Sequence, residues 1–358
     1  MSNQLHFGVA VGINRYPELH FLTGAKSDAR EFAVWLHDPD GGDLPEGNVR
    51  TILIPDDRVP DGIPREDASP IRRDVLNAIK SFESNVVDAV SEDPTLWFST
   101  RLYLYMSGHG LAPSPRDAAL LMADAGPEHF GENIACSSLL DYFGAAQPYR
   151  EVVIFMDCCR DRTAGAPLGP VLWTRVKRDN GEVITAFGCA TEYGQSAFEA
   201  SASTESSPDE LRGYYTRALL EGLRGAAIDL KSGTIDTNSL QSYVRARLGE
   251  LTEDRMSPQG SRMAADPGMP IVFRSGLTPK HQPKQTVTLE VTTSFRGAVE
   301  IVGAPASIAR HNVQRNREQW QIDLPFGLYQ VVATDGSQPG FNSEGRFKVI
   351  GENKNVIL

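Results

Sequence analysis

Cysteine is scarce: Cys136, Cys158, Cys159 and Cys189 are all that 358 residues contain. So few in so long a chain make no disulfide framework, and none stands in the paired Cys-x-x-Cys spacing of a zinc site. A reducing interior is the natural environment for such a chain. Long apolar runs are also missing, since no stretch approaches the ~18 residues needed to span a bilayer. The run 7–13, flanked by His6 and Arg15, is too short and wrongly flanked for a signal peptide. A soluble, cytoplasmic protein without membrane partners is expected. Clustered Lys and Arg are lacking as well. The net charge of −11 is spread along the chain, which disfavours nucleic acid as a partner because phosphate contacts need grouped basic side chains. The same charge would attract basic peptides. There is no internal repeat.

What is present describes a folded α/β chain. Hydrophobic residues at 41% and charged residues at 23% are near the averages for soluble globular proteins, which argues against wholesale disorder. Apolar runs of strand length lie at 6–13, 49–54, 101–108, 151–157 and 183–189, with a last one at 270–273. Between them come helical stripes. Ala29, Phe32, Ala33 and Leu36 form one, and Val75, Ile79, Phe82 and Val86 another, the latter behind Ser69-Pro70 as N-cap and first helical residue. Leu139, Leu140 and Phe143 mark a shorter helix near 138–146. Leu211, Tyr215, Ala218 and Leu219 mark one over 208–224, and Leu240, Tyr243, Val244 and Leu248 one over 237–251. Strands alternating with helices predict a doubly wound, mostly parallel sheet with helices on both faces.

That domain is expected over residues 1–276, followed by a linker at 277–284 with Pro279 and Pro283. The tail, 285–358, loses the helical period. Val287, Leu289 and Val291 alternate, as do Trp320, Ile322 and Leu324, and 328–334 and 346–349 read as further strands, which together predict a small C-terminal all-β module. The Ser-rich stretch 200–209 reads as a mobile loop. Cys136 and Cys189 are assigned to packing.

In a doubly wound sheet the side chains available for chemistry lie beyond the carboxyl ends of the strands. The run 101–108 delivers His109 within Ser-Gly-His-Gly, and 151–157 delivers Cys159 within Asp-Cys-Cys-Arg-Asp. The 50 residues between 109 and 159 leave room for one crossover, so the two strands can be neighbours. An imidazole near its own pKa can take a proton from a neighbouring thiol, and the thiolate is the nucleophile.

These motifs resemble the His and Cys motifs of caspase-like cysteine peptidases, the C14 group, and are closer to metacaspases and bacterial caspase homologues than to animal caspases. The His-to-Cys spacing near 50 is similar to theirs. So are Gly24-Ala25-Lys26-Ser27-Asp28-Ala29 after the first strand and the segment from Gly213-Tyr214-Tyr215 to Leu223 near the end of the domain. The resemblance covers about residues 5–275 and implies a caspase-like fold, with a large-subunit part to about 160, a linker at about 160–182 and a small-subunit part at about 183–276. It implies His109 as general base, Cys159 rather than Cys158 as nucleophile from the pattern Asp-x-Cys, and the backbone N–H groups of Gly110 and Cys159 as an oxyanion hole. By the same resemblance Asp28, Asp157 and Ser107, with Ala25 beside them, line the pocket for the residue before the scissile bond. Carboxylates there would select Arg or Lys.

The resemblance also places precursor processing in the linker, where Arg175, Lys177 and Arg178 offer basic sites. Many metacaspases bind calcium through grouped acidic side chains. Asp117, Asp124 and Asp161 are scattered and the family's pattern is not recognisable, so neither metal nor cofactor is expected. One departure stands out: Arg160-Asp161 occupies the place where metacaspases usually carry His-Ser. The implied activity is an endopeptidase acting on protein or peptide substrates, kept latent until a linker is cut by itself or by an activating protease, in regulated cell death or antiviral defence. The alternative is a caspase-like scaffold without activity, serving as a binding or signalling module.

Overall fold

The computed structural model describes residues 3–54, 63–115, 117–162, 167–171, 179–197, 213–229, 231–252, 259–266, 268–278, 284–291, 297–303, 306–314, 318–325, 327–333, 346–349 and 354–357. The chain divides into two compact units, Met1–Asp229 with Thr234–Ser275, and Leu230–Gly233 with Gly276–Leu358.

In the first unit the elements run β1 (His6–Gly12), α1 (Ala25–His37), β2 (Val49–Leu53), α2 (Arg72–Glu92), β3 (Arg101–Ser107), β4 (Gly110–Ala112), β5 (Ala119–Leu121), β6 (Asn133–Ala135), α3 (Cys136–Ala146) and β7 (Glu151–Asp157). Then come β8 (Asp161–Arg162), β9 (Ile184–Cys189), α4 (Tyr214–Glu221), β10 (Ile235–Asp236), α5 (Thr237–Leu251), β11 (Arg262–Ala265) and β12 (Val272–Arg274). Six strands form the main sheet in the order β11-β9-β7-β3-β1-β2. All neighbours pair in parallel except β11, which runs antiparallel to β9. From β1 the chain winds outward to β2 and then crosses to β3 on the other side. This reversal opens a crevice at the carboxyl ends.

Alternation along the strands explains the layers. Phe7, Val9 and Val11 of β1, Leu102, Leu104 and Met106 of β3, and Val152, Ile154 and Met156 of β7 join one buried cluster with Val75, Ile79, Phe82 and Val86 of α2 and Leu139 and Phe143 of α3. The intervening residues face the opposite layer. Phe32 of α1 stacks on Tyr105 at 4.6 Å, and Trp35 meets Tyr103 edge-on at 5.8 Å. Each fully buried aliphatic or aromatic side chain contributes about 1.5–3 kcal/mol relative to its exposed state, which is why two-sided burial favours near-continuous apolar strands. On the Tyr105 side α4 bonds through Thr216. In turn α5 joins α4, with Arg247 and Tyr243 both on Glu221.

Three local departures from the expected pattern have simple causes. The helix predicted behind Ser69-Pro70 begins at Arg72, where Asp74 accepts the Ile71 N–H at 2.9 Å. The Pro70 carbonyl is used instead by the Ala123 N–H. The helix predicted over 208–224 is described from Tyr214, because 201–212 lie outside the described residues, as does the Ser-rich stretch from 200 on. The sequence marks no apolar run between His109 and the shorter helix, yet β4, β5 and β6 lie there and form a small sheet with β8, which follows Cys159, in the order β6-β5-β4-β8. Its strands have two or three residues each, too few to show a period.

The second unit holds β13 (Lys284–Val291), β14 (Gly297–Gly303), β15 (Ala306–Val313), β16 (Glu318–Pro325), β17 (Gly327–Ala333), β18 (Arg346–Val349) and β19 (Lys354–Ile357). They make a three-stranded sheet, β16-β13-β19, and a four-stranded one, β15-β14-β17-β18. Val287, Leu289 and Leu324 from the first share one core with Val299, Ile301, Val313, Tyr329, Val331 and Val349 from the second. This is an all-β module with inward residues on alternate positions.

Candidate active site

The strands that carry the two motifs are neighbours in register. Ser107 at the end of β3 pairs with Asp157 at the end of β7, and the Gly108 N–H donates to the Asp157 carbonyl at 3.2 Å. The chain leaves both strands at one level, so His109 and Cys159 emerge into one crevice. Gly108 is required there, since a Cβ would stand 2.5 Å from the Tyr16 hydroxyl. Gly110 is required for a similar reason. Its Cβ would meet Cys158 Sγ at 2.5 Å and the Cys159 carbonyl at 2.6 Å.

A small cavity of about 70 Å³ is lined by His109, Cys159, Asp28, Ser107 and Asp157, with Leu22, Gly108, Ala197 and Gly213 completing it. Cys158 points into the core and is buried, and burial pushes its thiol well above the ordinary value. Cys159, the next residue, turns to the cavity. Its sulfur accepts the Ala197 N–H at 3.2 Å. Burial pushes the Cys159 thiol up to about 11; the Ala197 N–H opposes the rise and the Asp161 and Asp157 carboxylates add to it. Among the described residues the Cys159 N–H has no hydrogen-bond partner.

His109 is held on three sides. Its backbone N–H donates to the Tyr16 hydroxyl at 2.9 Å, and its ring lies 4.8 Å from the Tyr16 ring. Tyr16 Oη in turn donates to the Leu121 carbonyl at 3.3 Å. Nε2 of the imidazole lies 2.6 Å from the His20 carbonyl oxygen. A carbonyl only accepts, so Nε2 carries the proton and Nδ1 is left as the ring's base. No hydrogen bond joins His109 to Cys159, although both line the cavity.

Two buried carboxylates form its floor. Asp28 accepts the Gly213 N–H on both oxygens at 3.1 Å and the Ser107 hydroxyl at 3.4 Å. Asp157 Oδ2 accepts the Thr216 N–H at 3.1 Å and the Thr216 hydroxyl at 2.5 Å. Thr216 is the third residue of α4, so Asp157 also caps that helix and sits at the positive end of its dipole. Ala25 opens α1 and is buried against Gly12; it is not one of the residues lining the cavity. Arg175, Lys177 and Arg178 lie outside the described residues.

Tyr16, His20, Leu22, Ala197, Gly213 and Thr216 were not singled out as site residues from the sequence. They sit on loops or a helix end distant along the chain; Gly213 and Thr216 fall in the family-like segment 213–223, which marks the stretch but not their roles, and no local pattern marks the other four. Asp117 accepts from Ser114 and Asp161 from Ser196, and among the described residues no three His, Cys, Asp or Glu side chains converge on one point.

The sheet order, the helices on both faces and the two motifs at adjacent strand ends realise the arrangement that the resemblance implies. The fold is an α/β one, a mostly parallel sheet with helices on both faces. The chain is 27% identical over 227 residues to a probable protease of a Desulfuromonadales bacterium, covering 62% of this chain and 26% of that protein. It thus spans about a quarter of the length of the curated relative it matches. It is similar to the crystal structure of caspase-1 from Spodoptera frugiperda with a TM-score of 0.42 and 14% identity, over 76% of this chain and 91% of that one. No family model matches. Among the described residues, no helix is long and apolar enough to cross a membrane.

Proposed function

We propose that the chain is a cysteine endopeptidase that cleaves proteins after Arg or Lys, with Cys159 as nucleophile and His109 as general base. The observation that carries this reading is a single cavity lined by a thiol, an imidazole and two buried carboxylates. Cys159 Sγ bonds to the scissile carbonyl carbon while its proton passes to Nδ1 of His109. The carbonyl oxygen takes the negative charge, with the Cys159 and Gly110 N–H groups as its donors, each of a kind worth roughly 2.7–4 kcal/mol. Collapse breaks the C–N bond, His109 returns its proton to the leaving amine, and a thioester remains. Water then attacks the thioester, giving a proton to His109, which passes it to the departing sulfur.

Asp28 and Asp157, with Ser107, seat the basic side chain of the substrate. Two adjacent carboxylates at the floor of the cavity suit a guanidinium or an ammonium and repel an aspartate. With the thiol raised to about 11, Cys159 is protonated at neutral pH in this state. A protonated resting thiol suits a latent precursor; processing in the 160–182 segment near Arg175, Lys177 and Arg178, and action in the cytoplasm in cell death or defence, are supported by the resemblance alone. The test is an arginyl reporter peptide with wild type and Cys159→Ala, before and after limited proteolysis. Turnover by wild type alone, faster after proteolysis, is expected; a strict preference for Asp in a peptide library refutes the pocket assignment.

The lack of a hydrogen bond between His109 and Cys159 favours a second reading, an inactive scaffold that binds or signals. An irreversible inhibitor with arginine before its warhead separates the two. It labels wild type but not Cys159→Ala under the first reading, and neither protein under the second.

A further inference from the structure

Arg160 follows the nucleophile and is one of the largest fully buried side chains in the molecule, with 0% of its surface exposed. Among the described residues it has no carboxylate partner. Its guanidinium instead spreads over three backbone carbonyls: Nε donates to Asp117 at 3.0 Å, one terminal nitrogen to Thr191 at 3.2 Å and the other to Pro115 at 2.7 Å. Pro115 and Asp117 lie on the turn between β4 and β5, the strands that directly follow His109. Thr191 opens the segment that runs from β9 to Ala197. The Arg160 backbone grips that same segment, donating to the Gln195 carbonyl at 3.1 Å and accepting the Gly194 N–H at 2.9 Å. Two residues further on, the Ala197 N–H reaches the Cys159 sulfur.

We propose that Arg160 is a positioning residue, the fork that ties the β4–β5 turn and the 191–197 segment to the nucleophile and so sets both the place of Cys159 and its cover. The inference rests on the protease reading for its kinetic consequence, but not for its geometric one. Three donors in one plane satisfy three carbonyls on two separate loops, the one of Thr191 buried and those of Asp117 and Pro115 partly so, and a lysine ammonium on a flexible stem does not reproduce that fork. Without the fork, 191–197 is released from Thr191, the Ala197 N–H leaves the sulfur, and water reaches Cys159.

The test compares wild type with Arg160→Lys in the full chain, reading alkylation of each cysteine by iodoacetamide through mass spectrometry. The buried Cys136, Cys158 and Cys189 act as internal reporters of folding. Expected is a rise of at least about tenfold in the Cys159 rate near neutral pH, with the other three still protected. On the arginyl reporter kcat falls by about 10–100-fold while KM changes less than about twofold, because the reacting geometry is lost and the acidic pocket is not. An unchanged Cys159 rate overturns the proposal. So does simultaneous reactivity of all four cysteines, which would make Arg160 a strut for the whole fold. A reporter cleaved by neither protein counts against the protease reading alone, and the alkylation comparison still decides the role of Arg160.

Discussion

The backbone N–H of Ala197 donates to the sulfur of Cys159 at 3.2 Å, and both residues line the cavity. This contact stabilises a thiolate, yet burial outweighs it and leaves the thiol raised to about 11 from an ordinary 9.0. Alkylation of Cys159 in the intact chain should therefore climb with pH to a midpoint near 11. A midpoint near or below the ordinary value would mean that the resting site already carries a thiolate. Linkage has the same sign: a folded pKa above the unfolded one adds stability below pH 9 that is lost between about 9 and 11.

Tyr16 connects His109 to the small sheet beside it. Removing its hydroxyl leaves the His109 N–H without an acceptor and the Leu121 carbonyl without this donor. Tyr16→Phe should cost about 1–3 kcal/mol in thermal or denaturant unfolding. It should lower kcat on an arginyl reporter about tenfold, with KM little changed, because the acidic pocket is untouched. An unaltered kcat would show that the imidazole keeps its place without this bond.

The floor of the cavity leaves no space above Gly213. A Cβ there would collide with the Asp157 carboxylate and stand 3.1 Å from Asp28 Oδ2. Gly213→Ala should raise KM for arginyl peptides by about tenfold or more and leave the alkylation rate of Cys159 near that of wild type. Asp28→Asn should weaken the discrimination between arginyl and neutral peptides. Equal discrimination in wild type and Asp28→Asn would place the specificity elsewhere.

His6 offers a pH effect remote from the cavity. Burial first, and the Arg101 charge second, hold its imidazole down at about 3, against 6.5 for a free histidine. Its Nδ1 has no hydrogen-bond partner among the described residues. A depressed pKa in the folded state means that the unfolded chain binds the proton first, so stability falls as pH drops from about 6.5 to about 3. His6→Phe should flatten the melting temperature over that window, measured at a series of pH values. A slope identical to wild type would assign the acid sensitivity to carboxylates instead.

Much of the molecule was legible because its signals are local. Two-sided burial makes apolar runs of β1, β3, β7 and β9, and the stripe Val75, Ile79, Phe82, Val86 is a helix face whatever its neighbour. Where an element exists only by pairing, the legibility ends. Arg262–Ala265 becomes a strand because it lies against β9, and Gly110–Ala112 because β5 and β8 flank it. Neither segment is long enough to carry a period of its own.

The same division runs through the site. Residue order alone determined that a histidine and a cysteine each follow an apolar strand, at a spacing that lets the two strands be neighbours; the pairing of those strands, and the turning of Cys158 inward and Cys159 to the cavity, came with the packing. Only packing decided which atoms surround them: the Tyr16 hydroxyl and His20 carbonyl on the imidazole, the Ala197 amide on the sulfur, Gly213 and Thr216 on the carboxylates, and the Arg160 fork beneath. Periodicity is a property of one backbone stretch and can be read along it. Convergence of loops separated by tens to nearly two hundred residues is a property of the closed core and has no counterpart in any local pattern.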